Sequence, residues 1–368
     1  MNQAQLEIML VASLVAAACA LPGVFLVLRR VALMSDAISH TVLFGIVIGF
    51  FIVQDVNNPL LILFAAAAGV LTVSLSELLL RTRRVHEDAA IGLVFPALFS
   101  IAVIIITREF SSIHIDTDAV LLGELAFAPF NRAELLGLNL PKGVWVMGTI
   151  LLLNLVLIVL FYKELKLATF DSALAAALGF SPALIHYGLM ASVSVTAVGA
   201  FDHVGSILVI ALMIAPPAAA YLLTDRLSRM LVLSVVIAVA SAIGGYYAAR
   251  LLNVNISGAM ATITGVFFVA ALIFAPERGL LARGIQRRNR SLRFAEEMLL
   301  VHLNRHENTA DEETENTLKH LVDELNWTHD FAQGTVRRAA QHGYIERQNG
   351  SLHLTDTGRQ IAHRALSR

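Results

Sequence analysis

An all-α polytopic membrane protein of about 8–9 transmembrane helices, followed by a small α+β winged-helix domain on the cytoplasmic side, is predicted by three observations. The first is composition. Of 368 residues, 57% are hydrophobic and 15% charged, with a mean hydropathy of +0.71, whereas a soluble domain carries about 25% charged residues. The second is the placement of charge. There are 27 basic and 28 acidic residues, and 26 of them lie in the 91 residues from Arg278 onward. The third is the recurrence of apolar runs long enough to cross about 30 Å of hydrocarbon. These observations divide the chain into a membrane domain at 1–280, a basic linker at 281–295 and a soluble domain at 296–368.

Long apolar runs occupy 6–28, 59–80, 143–162, 203–223 and 229–252, with shorter ones at 36–53, 90–107, 184–200 and 258–275. The N-terminus lacks the basic start and small-residue cleavage site of a secretory signal, so the first run is read as a retained helix. Arg29, Arg30, Arg81, Arg83, Arg84, Lys163, Lys166, Arg226 and Arg229 follow the first, third, fifth and seventh runs. The opposite loops hold only Arg108, Arg132, Lys142 and Arg250. By the positive-inside rule, the N-terminus lies outside and the C-terminal domain inside. Nine runs and this asymmetry agree with each other. The stretch 108–142 is too polar to span, and its apolar part from Ala119 to Phe130 is expected as an interfacial or re-entrant helix on the outer face. Its Asp116 and Asp118 read as solvated loop acids or a cation-attracting rim. The single Cys19 excludes an internal disulfide and reads as a small buried hydrophobe.

Helix breakers punctuate the later spans. Pro216-Pro217 interrupts one run, Gly244-Gly245 sits in the next, and small residues crowd Gly258 to Gly265. Such residues let transmembrane helices approach closely, and ordinary bundle packing accounts for most of them.

The chemically informative element is Asp36-Ala-Ile-Ser-His40, set between apolar runs. Asp36 and His40 share one face of a helix, one turn apart. Ionisable groups at membrane depth are costly unless they face a cavity, a partner or an ion path. A carboxylate oxygen and an imidazole nitrogen are also plausible ligands for Mn, Fe or Zn. A second pair, Asp202-His203, lies near the outer end of a span. Adjacent helical residues point about 100° apart, so joint binding of one ion is less natural there. His114 and His186 read as surface or packing residues.

A loop expected in the cytoplasm runs Lys163-Glu-Leu-Lys-Leu-Ala-Thr-Phe170-Asp171-Ser-Ala-Leu174-Ala-Ala-Ala-Leu178-Gly179. Asp171 can cap a short helix, Ala and Leu propagate it, and Gly179 can end it. Such an uncharged helix exposed in the cytosol needs a partner to cover it.

Four segments occur in order: Ser35 to Gly45, His86-Glu-Asp-Ala-Ala-Ile-Gly92, this loop, and Val204 to Pro216. In order and spacing they resemble the membrane permeases of the ABC transporter family that imports manganese, zinc and iron, over roughly residues 6–276. The resemblance implies a dimeric permease, the second subunit being identical or paralogous. It also implies two cytoplasmic ATP-binding subunits and an extracytoplasmic metal-binding protein. Asp36 and His40 are then pore ligands, and Phe170, Asp171, Leu174, Leu178 and Gly179 belong to the helix that docks on the ATPase. No Gly-x-x-x-x-Gly-Lys-Ser/Thr loop is present, so the chain is not read as an enzyme. No permanent cofactor is expected, the divalent ion being cargo.

The tail has the pattern of a winged helix: helices, a hairpin around Asn349-Gly350 and a final helix. Its Gly343-Tyr-Ile and Leu-Thr-Asp-Thr-Gly358 are similar to metal-responsive repressors of the diphtheria-toxin-repressor type. Arg337 and Arg338 are the candidate phosphate contacts, but a membrane tether and a surface that is not strongly basic favour a regulatory or dimerisation role over DNA binding. His302, His306, His320 and Glu307 are candidate donors to a regulatory metal, although polar-region residues of this kind are ordinarily solvated. The reading is an ATP-driven importer permease, manganese first, with zinc and iron open. Its rivals are a proton-coupled secondary metal transporter and a membrane-tethered, metal-responsive DNA-binding sensor.

Overall fold

A computed structural model describes residues 2–55, 58, 60–109, 123, 125–135, 137–307, 309, 315–348 and 350–367. The chain forms two compact units, Met1–Gly279 and Leu280–Arg368. His114, Asp116, Asp118 and Asn349 lie outside the described residues.

Unit 1 contains α1 (Gln3–Leu28), α2 (Leu33–Val53), α3 (Leu60–Arg81), α4 (Glu87–Glu109), the antiparallel hairpin β1 (Arg132–Leu135) and β2 (Leu138–Pro141), and α5 (Lys142–Leu160). It continues with α6 (Tyr162–Phe170), α7 (Ser172–Ala177), α8 (Pro182–Leu223), α9 (Leu227–Leu252) and α10 (Ile256–Phe274). Among the described residues, eight helices are long and apolar enough to cross a membrane. Helices suit such a setting because each satisfies its own backbone polar groups where water is absent.

α8 makes two of the crossings. At 42 residues it exceeds one bilayer thickness, and Gly205 interrupts it with φ 74° and ψ 169°. Pro22 of α1 shares a cavity with Ile185 and Leu189, whereas its neighbour Gly23 abuts the backbone of Met213. In a straight helix Ile185 and Met213 would stand about 42 Å apart, at 1.5 Å per residue. They meet adjacent residues of α1 because the chain reverses at Gly205. The runs 184–200 and 203–223 are therefore two antiparallel arms, giving nine crossings among the described residues.

The helix ends sort onto two faces of the bundle. At one, Arg132 of β1 donates to Glu7 of α1 at 3.0 Å, and Gly123 lies beside Gly205. At the other, Arg29 donates to Thr169 at 3.1 Å, and Arg278 pairs with Asp225 and lies over the Tyr221 ring. α1 is the central post, its buried residues running from Glu7 to Leu26. Several polar groups within the bundle are paired across helices. Asn154 donates to Ala18 O at 3.1 Å and to Thr196 Oγ1 at 2.8 Å, while accepting from Ser192 at 2.7 Å. Thr72 donates to Thr41 at 2.8 Å. Lipid gives no hydrophobic reason for helices to associate, so close packing and such bonds carry the assembly.

Two expectations need correction. Among the described residues of 119–130 there is a short 3₁₀ turn at Leu125–Phe127, not a helix, and the β1–β2 hairpin follows it. Arg132 organises that hairpin, donating also to Asn139 at 2.9 Å, a non-local bond that hydropathy does not signal. The stretch 281–295, expected as a linker, is helical: it lies inside α11 (Leu280–His306). It contains no proline, and its arginines, Leu281, Gln286 and Leu292 are good helix formers that outweigh the single Gly284.

Unit 2 comprises α11, α12 (Leu318–Glu324), α13 (His329–Gln341), the hairpin β3 (Ile345–Gln348) and β4 (Ser351–Leu354), and α14 (Asp356–Leu366). Leu299, Leu303, Leu321, Val336, Ile345, Leu352 and Ala362 form its separate core. Gly350 turns the hairpin at φ 91°. Thr355 caps α14, accepting from Gly358 N at 3.2 Å.

The reversal at Gly205 yields a prediction. Its backbone lies in a region essentially reserved for glycine, and a side chain there costs on the order of 1–3 kcal/mol. Gly205→Ala is expected to lower the melting temperature of the detergent-solubilised protein. Gly244→Ala is expected to leave it unchanged, because a Cβ there meets Ile263 only at ordinary contact distance, 3.5 Å.

Candidate metal path and docking loop

α2 is buried along Met34, Ser35, Ala37, Ile38, Ser39, Thr41 and Val42. Ser39 and Thr41 return their hydroxyls to backbone carbonyls one turn back, at 2.8 and 3.1 Å, so neither competes for a partner on the other face. That other face carries Asp36 and His40. His40 Nε2 lies 3.3 Å from Asp36 Oδ1, with the side chains 34% and 35% exposed. The imidazole stacks on Phe95 of α4, centroids 5.5 Å apart, and meets the edge of Phe99. Two aromatic rings thus hold the imidazole in place while leaving its nitrogen beside the carboxylate. The pair lies within the first two turns of α2, toward the Arg29 end of the bundle.

This geometry offers one oxygen and one nitrogen donor on a face that the protomer leaves partly open. Two donors are fewer than the four that a tetrahedral ion takes. A closed shell around one ion therefore needs ligands from outside this chain.

Asp202 and His203 are not brought together in this way. Asp202 is exposed, while His203 is buried with its ring near Gly143 of α5 and two residues from the Gly205 reversal. The two point to different sides of the helix, as a step of about 100° requires.

At the Arg29 end, α6 and α7 form the exposed loop. Asp171 is the N-cap of α7, accepting from Leu174 N at 2.9 Å, and Gly179 follows at φ 88°. Ala175 is buried, whereas Phe170, Leu174, Leu178 and Phe180 are exposed. A six-residue helix too short to be stable alone thus presents an apolar surface.

Sequence reading missed a polar network behind this loop. Glu77 of α3 accepts from the Tyr187 hydroxyl at 2.5 Å and lies 2.8 Å from His186 Nε2. Arg29 reaches His186 Nδ1 at 3.3 Å and Thr169 of α6. His186, read as a packing residue, joins α1, α3 and α8 to the base of the loop. The only sequence signal was a lone Glu within the apolar run 59–80, and such a residue asks for a partner.

Nine crossings, an acid–imidazole pair on a half-open helix face and an exposed apolar loop at one end define a polytopic membrane transport protein. Residues 1–275 match the model of the ABC 3 transport family, and the chain belongs to that family. It is 46% identical to the zinc transport system membrane protein TroD of Treponema pallidum, over 98% of both chains. It is 47% identical to the manganese transport system membrane protein MntD of Bacillus subtilis, over 75% of this chain and 94% of that one. The TroD match runs through unit 2, whereas MntD is almost fully matched without it. Among solved structures, PsaBC from Streptococcus pneumoniae in complex with Fab superposes with a TM-score of 0.63 at 26% identity, covering 76% of this chain and 94% of that chain.

Glu77→Ala leaves the Tyr187 hydroxyl and His186 without their acceptor. A loss of about 1–3 kcal/mol is expected for stranded groups of this kind, read as a lower melting temperature in detergent. Glu77→Gln, which keeps an acceptor for Tyr187, is expected to fall between the two.

Proposed function

We propose that this chain is the permease subunit of an ATP-driven importer carrying a divalent transition ion across the cytoplasmic membrane, manganese first among manganese, zinc and iron. The observation that carries this reading is the Asp36–His40 pair, 3.3 Å apart on a face of α2 that is one-third exposed. Placing an ionised group at membrane depth costs about 2.5–3.5 kcal/mol on insertion scales, and a metal path justifies that cost. A second permease subunit, identical or paralogous, would contribute the same face and raise the donor count to four. Ligands of this number replace lost hydration, while a shell of mixed oxygen and nitrogen donors remains open to release. Hard carboxylate oxygens suit manganese, although the affinity order of N/O sites favours zinc. The names of the relatives include zinc and manganese transport systems.

The partners follow from the same reading. The apolar α7 surface, Phe170, Leu174 and Leu178, docks on cytoplasmic ATP-binding subunits, which supply the hydrolysis this chain does not perform. An extracytoplasmic metal-binding protein delivers the ion at the Glu7 end. Asp202, exposed there, acts at most as an entry residue. With nine crossings and basic residues concentrated at the Arg29 end, the N-terminus lies outside and unit 2 in the cytoplasm. Unit 2 is read as a winged-helix regulatory module. Arg338 is held by buried Glu296 at 2.8 Å, which leaves Arg337 alone of the two candidate phosphate contacts and weighs against DNA binding. A proton-coupled carrier would leave the apolar loop without a purpose.

The test is ATP-dependent uptake of radioactive manganese, with zinc and iron as competitors, by the permease co-expressed with its ATPase and binding protein. Asp36→Ala and His40→Ala are expected to reduce uptake to the level without ATP while the complex still assembles. Normal uptake in both variants would overturn the assignment of the path. Orientation is checked separately by cysteine labelling. Gln54→Cys and Asn253→Cys are expected to react with an impermeant reagent from outside, and Arg83→Cys and Thr224→Cys only after permeabilisation. Native Cys19 is fully buried and stays silent.

A further inference from the structure

Unit 2 brings together four metal-ligating side chains that are scattered in sequence. His302 lies on α11, Glu315 just before α12, and His320 and Glu324 one turn apart on α12. One donor atom from each falls within 4.8 Å of all the others. His320 Nε2 pairs with the Glu315 carboxylate and lies 2.8 Å from Glu324 Oε2, and His302 Nδ1 lies 3.4 Å from that same oxygen. We propose that these four residues form a binding site for a divalent first-row transition ion, separate from the membrane path.

Donor geometry supports this. A tetrahedral ion with bonds of about 2.0–2.2 Å to nitrogen and oxygen holds its donors about 3.3–3.6 Å apart, and the four donors, all within 4.8 Å of one another, reach that spacing by side-chain shifts of about 1 Å. Two imidazoles and two carboxylates form the four-coordinate set that Zn accepts and that Mn and Fe also tolerate. The second shell is present too. His302 Nε2 lies 3.5 Å from the Glu315 carbonyl oxygen, and a ring nitrogen bonded to a backbone carbonyl turns the other nitrogen toward the metal.

Charge supports it as well. Two carboxylates converge on one imidazole beside a buried second histidine, and the Coulomb repulsion between the acids is relieved more fully by a divalent ion than by one proton. The sequence candidates Glu307 and His306 are used otherwise. Glu307 accepts from Arg359 at 2.7 Å, and His306 packs its ring on His302. An ion in this site ties α11 to α12 across the intervening segment, and the packing of unit 2 then depends on free metal.

The test uses the full-length chain in detergent, with Asp36→Ala/His40→Ala removing the membrane pair, so that binding to unit 2 is read independently of transport. Under equilibrium dialysis with Co(II), this chain is expected to retain one ion per molecule, with the visible absorption of a four-coordinate N/O site. Adding His320→Ala or Glu324→Gln is expected to weaken binding at least tenfold and abolish the absorption. The metal-free melting temperature should hold, since both side chains are at least one-third exposed. Zn(II) is expected to displace the Co(II) at comparable concentration, and Mn(II), weaker than Co(II) in such sites, only in large excess. No bound ion in the membrane-silenced chain, or unaltered stoichiometry and spectrum in both added variants, would overturn the site.

Discussion

The contact on which the membrane unit depends is that of α1 with both arms of α8. Gly23 has no side chain, and this lets the backbone of Met213 come against α1, while Pro22 faces Ile185 and Leu189 on the other arm. In lipid the apolar surface of a helix is as well solvated by acyl chains as by another helix, so association rests on close fit and on paired polar groups. The Asn154 cluster, tying α5 to α1 and α8, supplies the second of these at the same level of the bundle. Remove the close approach and the two arms lose the common post that holds them antiparallel.

The candidate site residues are arranged around that post without belonging to it. Asp36 and His40 lie on the face of α2 turned away from its buried residues, and Phe95 and Phe99 of α4 fix the imidazole. The exposed apolar loop lies at the Arg29 end, and the Glu77–His186–Arg29 network joins its base to three transmembrane helices. Charged groups inside a bilayer are tolerated when each has a partner, and the network meets that condition with residues spread over nearly 160 positions of sequence.

Unit 2 has its own core and its own polar logic. Glu296, almost fully buried, is held by Arg338 at 2.8 Å and lies 3.4 Å from His342. This ties α13 to α11 and pairs a cation that remains one-third exposed. The convergence of His302, Glu315, His320 and Glu324 brings buried His302 of α11 to within 3.4 Å of Glu324 of α12.

Local features were legible in the sequence, since local physics sets them. Hydropathy located the apolar runs of all eight spanning helices, the 42-residue α8 as two runs. The 3.6-residue period placed Asp36 and His40 side by side, and capping preferences located the α7 helix between Asp171 and Gly179. Whatever joins distant residues was decided only by tertiary structure. That includes the side-by-side packing of the α8 arms on α1, the Glu77 network, the β1–β2 hairpin anchored by Arg132 on Glu7, the diversion of Arg338 to Glu296, and the choice of Glu315 and Glu324 over Glu307 beside the tail histidines. A pattern along the chain records which face of an element is apolar or polar. Which other element will cover that face depends on packing, and packing exists only once the chain has folded.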